Sequence, residues 1–406
     1  MKTPQPGTET PLPGTPSLMR AINDRTALRV LLERGPLTRP EIGELTGLSK
    51  PTAFQLLARL QEAGLVVGDG VRAGQPGRTA ETYRINPAAA YVAALDVTQD
   101  QIGVQVADIT GEIRGEHTLP APGGPPGPLI DRLRAAIAGA GAPGPLRRVV
   151  IGVQGAVDPT TGALCYATDE DLPGWRIPGL LPALSAGLGT AVAVENDVNL
   201  VALAEQARGA AAGCPDFVLL WADEGLGSAL VIGGRLHRGF FGGAGEVGYM
   251  PTPGAATARD AGRFGRHGYQ ALVGGPAVLD LLRTYGVDAP DFRQAVTAAA
   301  TLATQGAGRP AEEAAAGLRL VAARLAVGLA AIASVVDPGL IVLAGGLMSA
   351  GGEHLRDLVE RELYALTHSH PRVRLSALAG NPVLAGAMDL ALATVRDEVF
   401  GGVVRP

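Results

Sequence analysis

The chain has 406 residues, more than one ordinary domain, with 47% hydrophobic residues, 18% charged residues and a net charge of −5. That composition is globular and gives no whole-chain attraction to nucleic acid or membrane. Cys165 and Cys214 are too few and too separated for a disulfide framework or a cysteine-based zinc site, so a reduced, cytoplasmic protein is expected.

The opening MKTPQPGTETPLPGTPS has no apolar core after Lys2, which excludes a signal peptide and predicts a disordered tail over 1–16. From Leu18 the apolar spacing becomes helical. Leu18, Ile22, Leu28, Leu31 and Leu32 predict a first helix ended by Gly35 and Pro36. Pro40 to Leu45 predicts a second, and Gly47 the turn after it. Ser49 then caps a third, with Pro51 in its first turn and Ala53, Leu56, Leu57 and Leu60 facing inward. Two short helices across a glycine turn make a helix-turn-helix. Beyond Leu65, VVGDGVRAGQPGRTAETYRINP reads as strand, glycine-rich tip and returning strand, which is a wing.

The module 17–86 is mildly basic while the remainder is acidic, the asymmetry expected if only this part meets phosphates. Lys50, Thr52 and Gln55 lie off the inward face of the third helix, with reach for phosphates or base edges. Phe54 either touches a thymine methyl or packs beneath the wing. Arg59 and Arg78 complete the candidate DNA-binding set, Arg78 at the wing tip where it suits a minor groove. A dimerisation module with a solvated basic face is the plainer alternative, and helix-turn-helix plus wing in one block favours DNA.

From Tyr91 the pattern changes to strands. YVAALDVT, QIGVQVADIT and EIRGEHTLP predict three consecutive antiparallel strands, and FVLLWAD, GSALVIG and GRLHRGFF repeat the set at 217–241. This duplication predicts two related α/β lobes with a ligand cleft between them. LIDRLRAAIAGA before RVVIGVQGAV, and the helix 312–335 before GLIVLAGGL, continue the parallel, and LAGAMDLALATVRDEVF predicts a closing helix. The apolar stretch 318–336 is interrupted by Arg319 and Arg324, which predicts a buried helix rather than a membrane span. AVAVENDVN, at 191–199, ends a buried strand in Glu195, Asn196, Asp197 and Asn199. An unpaired carboxylate there is disfavoured, so Asp197 is a catalytic base, a ligand clamp or a helix cap.

Helix-turn-helix with wing, IGVQGAVDPTTGAL, LPGWRIPGL, VENDVNLVALAE, GRLHRGFFGGAGEVGYMPT and IVLAGGL, in that order, resemble the ROK family of repressors, open reading frames and sugar kinases. The resemblance implies a winged helix-turn-helix followed, over 90–406, by a two-lobed actin-like and hexokinase-like ATPase fold of the ribonuclease H-like type. Lobe 1 is expected over about 90–200 plus the C-terminal helix, and lobe 2 over about 201–380. It also implies that Asn196 and Asp197 hold sugar hydroxyls, that Asp197 is the base in the kinases, and that Glu246 and Tyr249 stand at the sugar. Tyr249 replaces the family's histidine.

Departures from the family pattern separate kinase from sensor. The first phosphate loop is a Gly-Gly-Thr in the kinases, whereas Asp96 is followed here by Val97 through Asp100. The second reads DEGLG, with Asp223 and Glu224 where small residues belong, two charges expected to repel a triphosphate. IVLAGGL keeps the adenosine-side loop at Gly345 and Gly346. The family's zinc ligands align with Tyr249, Gly262, Phe264 and Tyr269, so no zinc is expected, and His267 reads as an ordinary hydrogen-bonding histidine. A further sugar-contacting glutamate becomes Ala271.

The expected function is therefore a repressor of carbohydrate genes with a sugar-sensing, non-catalytic domain, no ATP and no metal. Its partners would be a double-stranded DNA operator, a sugar or sugar derivative, and a second copy in a homodimer or a tetramer of two such pairs. The alternatives are an active ATP-dependent sugar kinase with an accessory DNA module, and a constitutive DNA binder.

Overall fold

The computed structural model describes residues 16–73, 79–120, 128–165, 174–261 and 267–401. Arg78, Gly262, Phe264 and all of the expected tail except Pro16 lie outside them.

The N-terminal module consists of α1 (Pro16–Arg34), β1 (Leu37–Thr38), α2 (Arg39–Thr46), α3 (Lys50–Glu62), β2 (Val66–Ala73) and β3 (Thr79–Ile85), with an antiparallel sheet in the order β1-β3-β2. Local chemistry sets the helix ends. Glu41 Oε2 accepts from Thr38 N at 2.7 Å in a capping box, Gly47 ends α2 at φ 70°, and Ser49 Oγ accepts from Thr52 N at 3.4 Å to start α3. Leu28, Leu31, Ile42, Leu56, Leu57 and Leu60 bury against Tyr83 and Ile85. Leu18 and Ile22 depart from expectation and are half exposed. The buried stripe of α1 is Asp24, Ala27, Leu28 and Leu31, and Leu18 and Ile22 fall on the neighbouring stripe with Arg25 and Arg29.

Lobe 1 follows with β4 (Tyr91–Val97), β5 (Gln101–Asp108), β6 (Ile113–Pro120), α4 (Leu129–Gly139), β7 (Leu146–Val153), the small pair β8 (Ala156–Val157) and β9 (Leu164–Cys165), α5 (Leu180–Leu188), β10 (Ala191–Asn196) and α6 (Asp197–Arg208). Lobe 2 has β11 (Phe217–Ala222), β12 (Leu226–Ile232), β13 (Arg235–His237), α7 (Ala258–Ala261), α8 (Gln270–Val273), α9 (Gly275–Thr284), α10 (Phe292–Gln305), α11 (Arg309–Val336), β14 (Leu340–Ala344), α12 (Gly346–Leu366) and β15 (Arg372–Leu375). The closing helix is α13 (Pro382–Gly401).

The two sheets run β6-β5-β4-β7-β10 and β13-β12-β11-β14-β15. In each, three antiparallel strands are extended by two parallel ones, which is the duplication seen in the sequence. By length and composition α11 could cross a membrane. Its Leu318, Val321, Leu325 and Leu329 are fully buried in the core of lobe 2. The helix α6 packs along α13 on lobe 1: a Cβ at Gly386 would lie 1.8 Å from Leu200 O, so no side chain fits between them.

Candidate functional site

The strand β10 lies parallel to β7 and ends at Asn196, where the chain turns into α6. Asn196 caps that helix: its Oδ1 accepts from Asn199 N at 3.0 Å and its Nδ2 donates to Gly155 O at 3.1 Å. The capping role weighed for Asp197 therefore belongs to its neighbour. Asp197 is the first helical residue, and its Oδ1 accepts from Val198 N at 2.8 Å. Burial, helped by the nearby Asp96 and Glu246 carboxylates, raises its carboxyl from 3.8 to about 7 against that hydrogen bond. Burial also raises Asp96, which accepts from Asn381 Nδ2 at 2.7 Å, and Glu246. Among the described residues none of these three carboxyls has an ion-pair partner. Such a group is rich in acceptors and short of donors, which suits a neutral ligand bearing several hydroxyls.

Glu195 fixes this arrangement. It is buried, its Oε1 accepts from Asn199 Nδ2 at 2.9 Å and Asn196 N at 3.0 Å, and its Oε2 accepts from Arg238 Nε at 2.6 Å. Arg238 opens the segment that carries Glu246, so one carboxylate ties the end of β10 to lobe 2. The segment then threads between the lobes at two glycines. A Cβ at Gly242 would come within 2.0 Å of Val157 O in lobe 1, and one at Gly245 within 2.0 Å of Ser228 O in lobe 2. Both have positive φ, 78° and 100°, as only glycine readily allows.

Tyr249 is exposed, with its ring 5.5 Å from that of buried His267. Tyr269 is fully buried over Gly328, and its hydroxyl donates to Leu325 O at 2.6 Å. Burial drives this phenol's pKa upward, which keeps the proton that a zinc ligand would have to lose. The donor set does not fit the zinc implied by the family resemblance.

On the phosphate side, the turn after β4 is closed on itself: Thr98 N donates to Gln101 O at 2.9 Å, and Gln101 N to Thr98 Oγ1 at 3.2 Å. Asp223 is not the free repulsive charge expected. It pairs with Arg293 of α10, while its Oδ2 accepts from Gly346 N at 2.8 Å and its Oδ1 from Glu224 N at 2.9 Å. An internal carboxylate thus takes up the Gly346 amide of the Gly345-Gly346 loop. Glu224 is exposed at a separate cavity of about 560 Å³ in lobe 2, lined also by Gln270, Ala271 and Arg324.

In the N-terminal module Lys50 and Gln55 are exposed on α3, and Thr52 Oγ1 lies 2.8 Å from Ser49 Oγ. Phe54 is exposed, with the Arg39 guanidinium 4.7 Å from its ring centroid. Arg59 has another partner: its Nη2 donates to buried Asp24 at 2.7 Å, because a carboxylate enclosed between α1 and α3 requires a cation.

Three residues that matter here escape sequence reasoning. Asn381, next to Pro382, carries a helix-start signal that could have exposed it, and Arg238 lies inside the GRLHRGFFGGAGEVGYMPT segment. Arg293 carries no local signal.

The ROK family profile matches residues 92–394, and the MarR family profile matches residues 22–75. A protein named "Putative xylose repressor" from Caldicellulosiruptor sp. strain Rt8B.4 is 23% identical over 93% of this chain and 97% of its own. A glucokinase from Streptomyces coelicolor is 28% identical over 73% of this chain and 96% of its own. The crystal structure of a ROK family transcriptional regulator, a homolog of the E. coli MLC protein, superposes with a TM-score of 0.70 at 18% identity, covering 95% of this chain and 98% of that one. By the extent of the profile match and the duplicated sheets, the chain belongs to the ROK family, with a MarR-like winged helix in front of its ROK domain.

Proposed function

We propose that this protein is a transcriptional repressor of carbohydrate genes, in which the kinase-like domain holds a sugar and reports it without phosphorylating it. The observation that carries the non-catalytic half is Asp223, whose carboxylate already uses the Gly346 amide and the Arg293 guanidinium that a phosphate would need. The repressor half draws on the winged module and on the xylose repressor similar over nearly the whole chain. Asn196, Asp197 and Glu246 clamp the sugar, with Tyr249 at the rim. Lys50, Thr52, Phe54, Gln55 and Arg78 face a double-stranded operator, read by a homodimer in the cytoplasm. Neither ATP nor zinc takes part, in keeping with the donors at Tyr249 and Tyr269. Sugar binding prefers one lobe arrangement, and operator affinity changes by the same linkage.

Titration calorimetry with pentoses, hexoses and amino sugars tests this reading. One of them binds, Asp197→Asn weakens it by about tenfold to a hundredfold, and no sugar phosphate forms with ATP and magnesium. One observation favours an active kinase instead: a carboxyl with a pKa of about 7 is poised as a general base. ATP-dependent phosphorylation of any of these sugars, abolished in Asp197→Asn, would establish that reading and remove ours.

A further inference from the structure

The helix α13 touches the cleft at one end and the DNA-binding module at the other, and we propose that it is the rod that couples them. Its purpose rests on the sugar-sensing reading above, whereas its geometry does not. The helix has 20 residues, about 30 Å at 1.5 Å per residue.

At the cleft end, Asn381 accepts from Val383 N at 2.9 Å and Leu384 N at 3.0 Å, and so caps the helix. The same side chain donates to Asp96, one of the carboxylates acting on Asp197. Any ligand that recruits or displaces the Asp96 carboxylate therefore acts on the first turn of α13.

Along its middle, α13 is locked to α6, the helix that begins at Asp197. Gly386 lies against Leu200 O with no room for a Cβ, and Arg208 Nη2 donates to Asp389 Oδ2 at 2.6 Å and Ala385 O at 2.9 Å. Ala387, Met388, Ala391 and Val395 share one buried cluster with Leu200 and Val201. Close-packed helices with a backbone-to-backbone contact move together rather than slide, because sliding opens voids. The pair α6 and α13 transmits displacement as one body.

At the far end, Asp397 pairs with Arg25 and lies 4.0 Å from Arg29, both on α1. One residue before Arg25, Asp24 holds Arg59 of α3. A shift of the α13 end therefore turns α1, and α1 carries α3 with its exposed Lys50 and Gln55. The buried cluster is continuous across this junction, from Leu28, Leu57 and Leu60 to Met388, Val395 and Phe400. The Arg25–Asp397 clasp is 41% and 67% exposed at its two side chains. Ion pairs this wet contribute little to folding and are readily exchanged. The junction can be remade without unfolding either part.

The test uses the full chain and a DNA duplex selected in vitro by the wild-type protein. Hydrogen exchange of α1 amides and duplex affinity are measured for Asn381→Ala, Asp397→Asn and the double variant. Asn381→Ala changes α1 exchange and duplex affinity by about fivefold or more, the low end of ordinary couplings. With Asp397→Asn present, the Asn381→Ala change no longer reaches α1. The rod is overturned if the effect of Asn381→Ala stops within β4 and the first turns of α13 while α1 and duplex affinity stay at wild-type values. If Asn381→Ala does not fold, as judged by circular dichroism, Asn381→Asp perturbs the same contact by repelling Asp96 and is read the same way. With D-xylose or D-glucose, whichever binds, Asp397→Asn keeps sugar affinity and loses the sugar's effect on DNA; equal DNA response in wild type and variant also overturns the rod. If neither sugar binds, the sensing reading loses support while the exchange measurement still decides the rod.

Discussion

The two lobes share one strand order and each carries an aspartate near the end of its first strand, Asp96 inside β4 and Asp223 one residue past β11, yet only one of the two carboxylates has a cation. Each accepts from the start of a helix distant in sequence: Asp96 from the Asn381 side chain before α13, Asp223 from the Gly346 amide of α12. Only Asp223 also has a guanidinium, from Arg293. Asp96 is left with a neutral donor beside Asp197 and Glu246, raised by burial and still able to take hydroxyl donors. Similar strand ends thus carry carboxylates in different surroundings, and one long-range cation decides which of them is already paired. Among the described residues the lobe 1 carboxylate has no guanidinium and the lobe 2 carboxylate has one.

The largest expected effect is on stability against pH. Asp197 keeps its proton in the folded chain up to about pH 7 but in the unfolded chain only to about 3.8. The folded state therefore binds the extra proton between those values, and stability is lost as pH rises through that window. Asp96 and Glu246, also raised, act in the same direction. Asp197→Asn removes the penalty: thermal melts should match wild type at pH 4 and exceed it at pH 8, by up to about 4 kcal/mol at about 1.4 kcal/mol per pKa unit. A constant difference across pH would mean that Asp197 is well solvated.

Removing the cation held by one carboxylate of each lobe, Glu195 and Asp223, contrasts them directly. Arg238→Ala leaves Glu195 buried without its guanidinium, and because Arg238 is one-third exposed the loss is roughly 2 kcal/mol in urea unfolding, below the cost of breaking a fully buried pair. Arg293→Ala costs less, about 1 kcal/mol, since Arg293 is half exposed and Asp223 keeps two backbone donors. The reverse order would place the tighter electrostatic tie in lobe 2. Asp223→Gly should give lobe 2 what lobe 1 has, an open site, and tripolyphosphate should then bind at about millimolar Kd, which the wild-type chain does not support. An unchanged calorimetric trace would show that the Gly345-Gly346 loop is closed for another reason.

The smallest effect separates the two cations of α3. Lys50→Ala lowers the slope of log affinity against log salt by about one phosphate-equivalent. Arg59→Ala leaves the slope and lowers the melting temperature instead, because its partner is Asp24. Equal slopes lost in both would return Arg59 to the DNA.

The sequence by itself determined the winged module, the repeated strand order and the place where β10 becomes α6. These are encoded by apolar period, capping residues and glycine turns, all within a few residues of one another. It also placed the acceptor cluster of Glu195, Asn196 and Asp197 at that junction, though not which of them caps the helix. Only the tertiary structure decided what each charge does. Asp223 meets Arg293 across 70 residues of chain, Arg59 meets Asp24 across 35, and Asn381 meets Asp96 across 285. Tyr269, aligned with a zinc ligand, proves to be a core residue anchored on Leu325. No local period carries such pairings, because the electrostatic state of a buried group is set by whichever side chains the folded chain brings beside it.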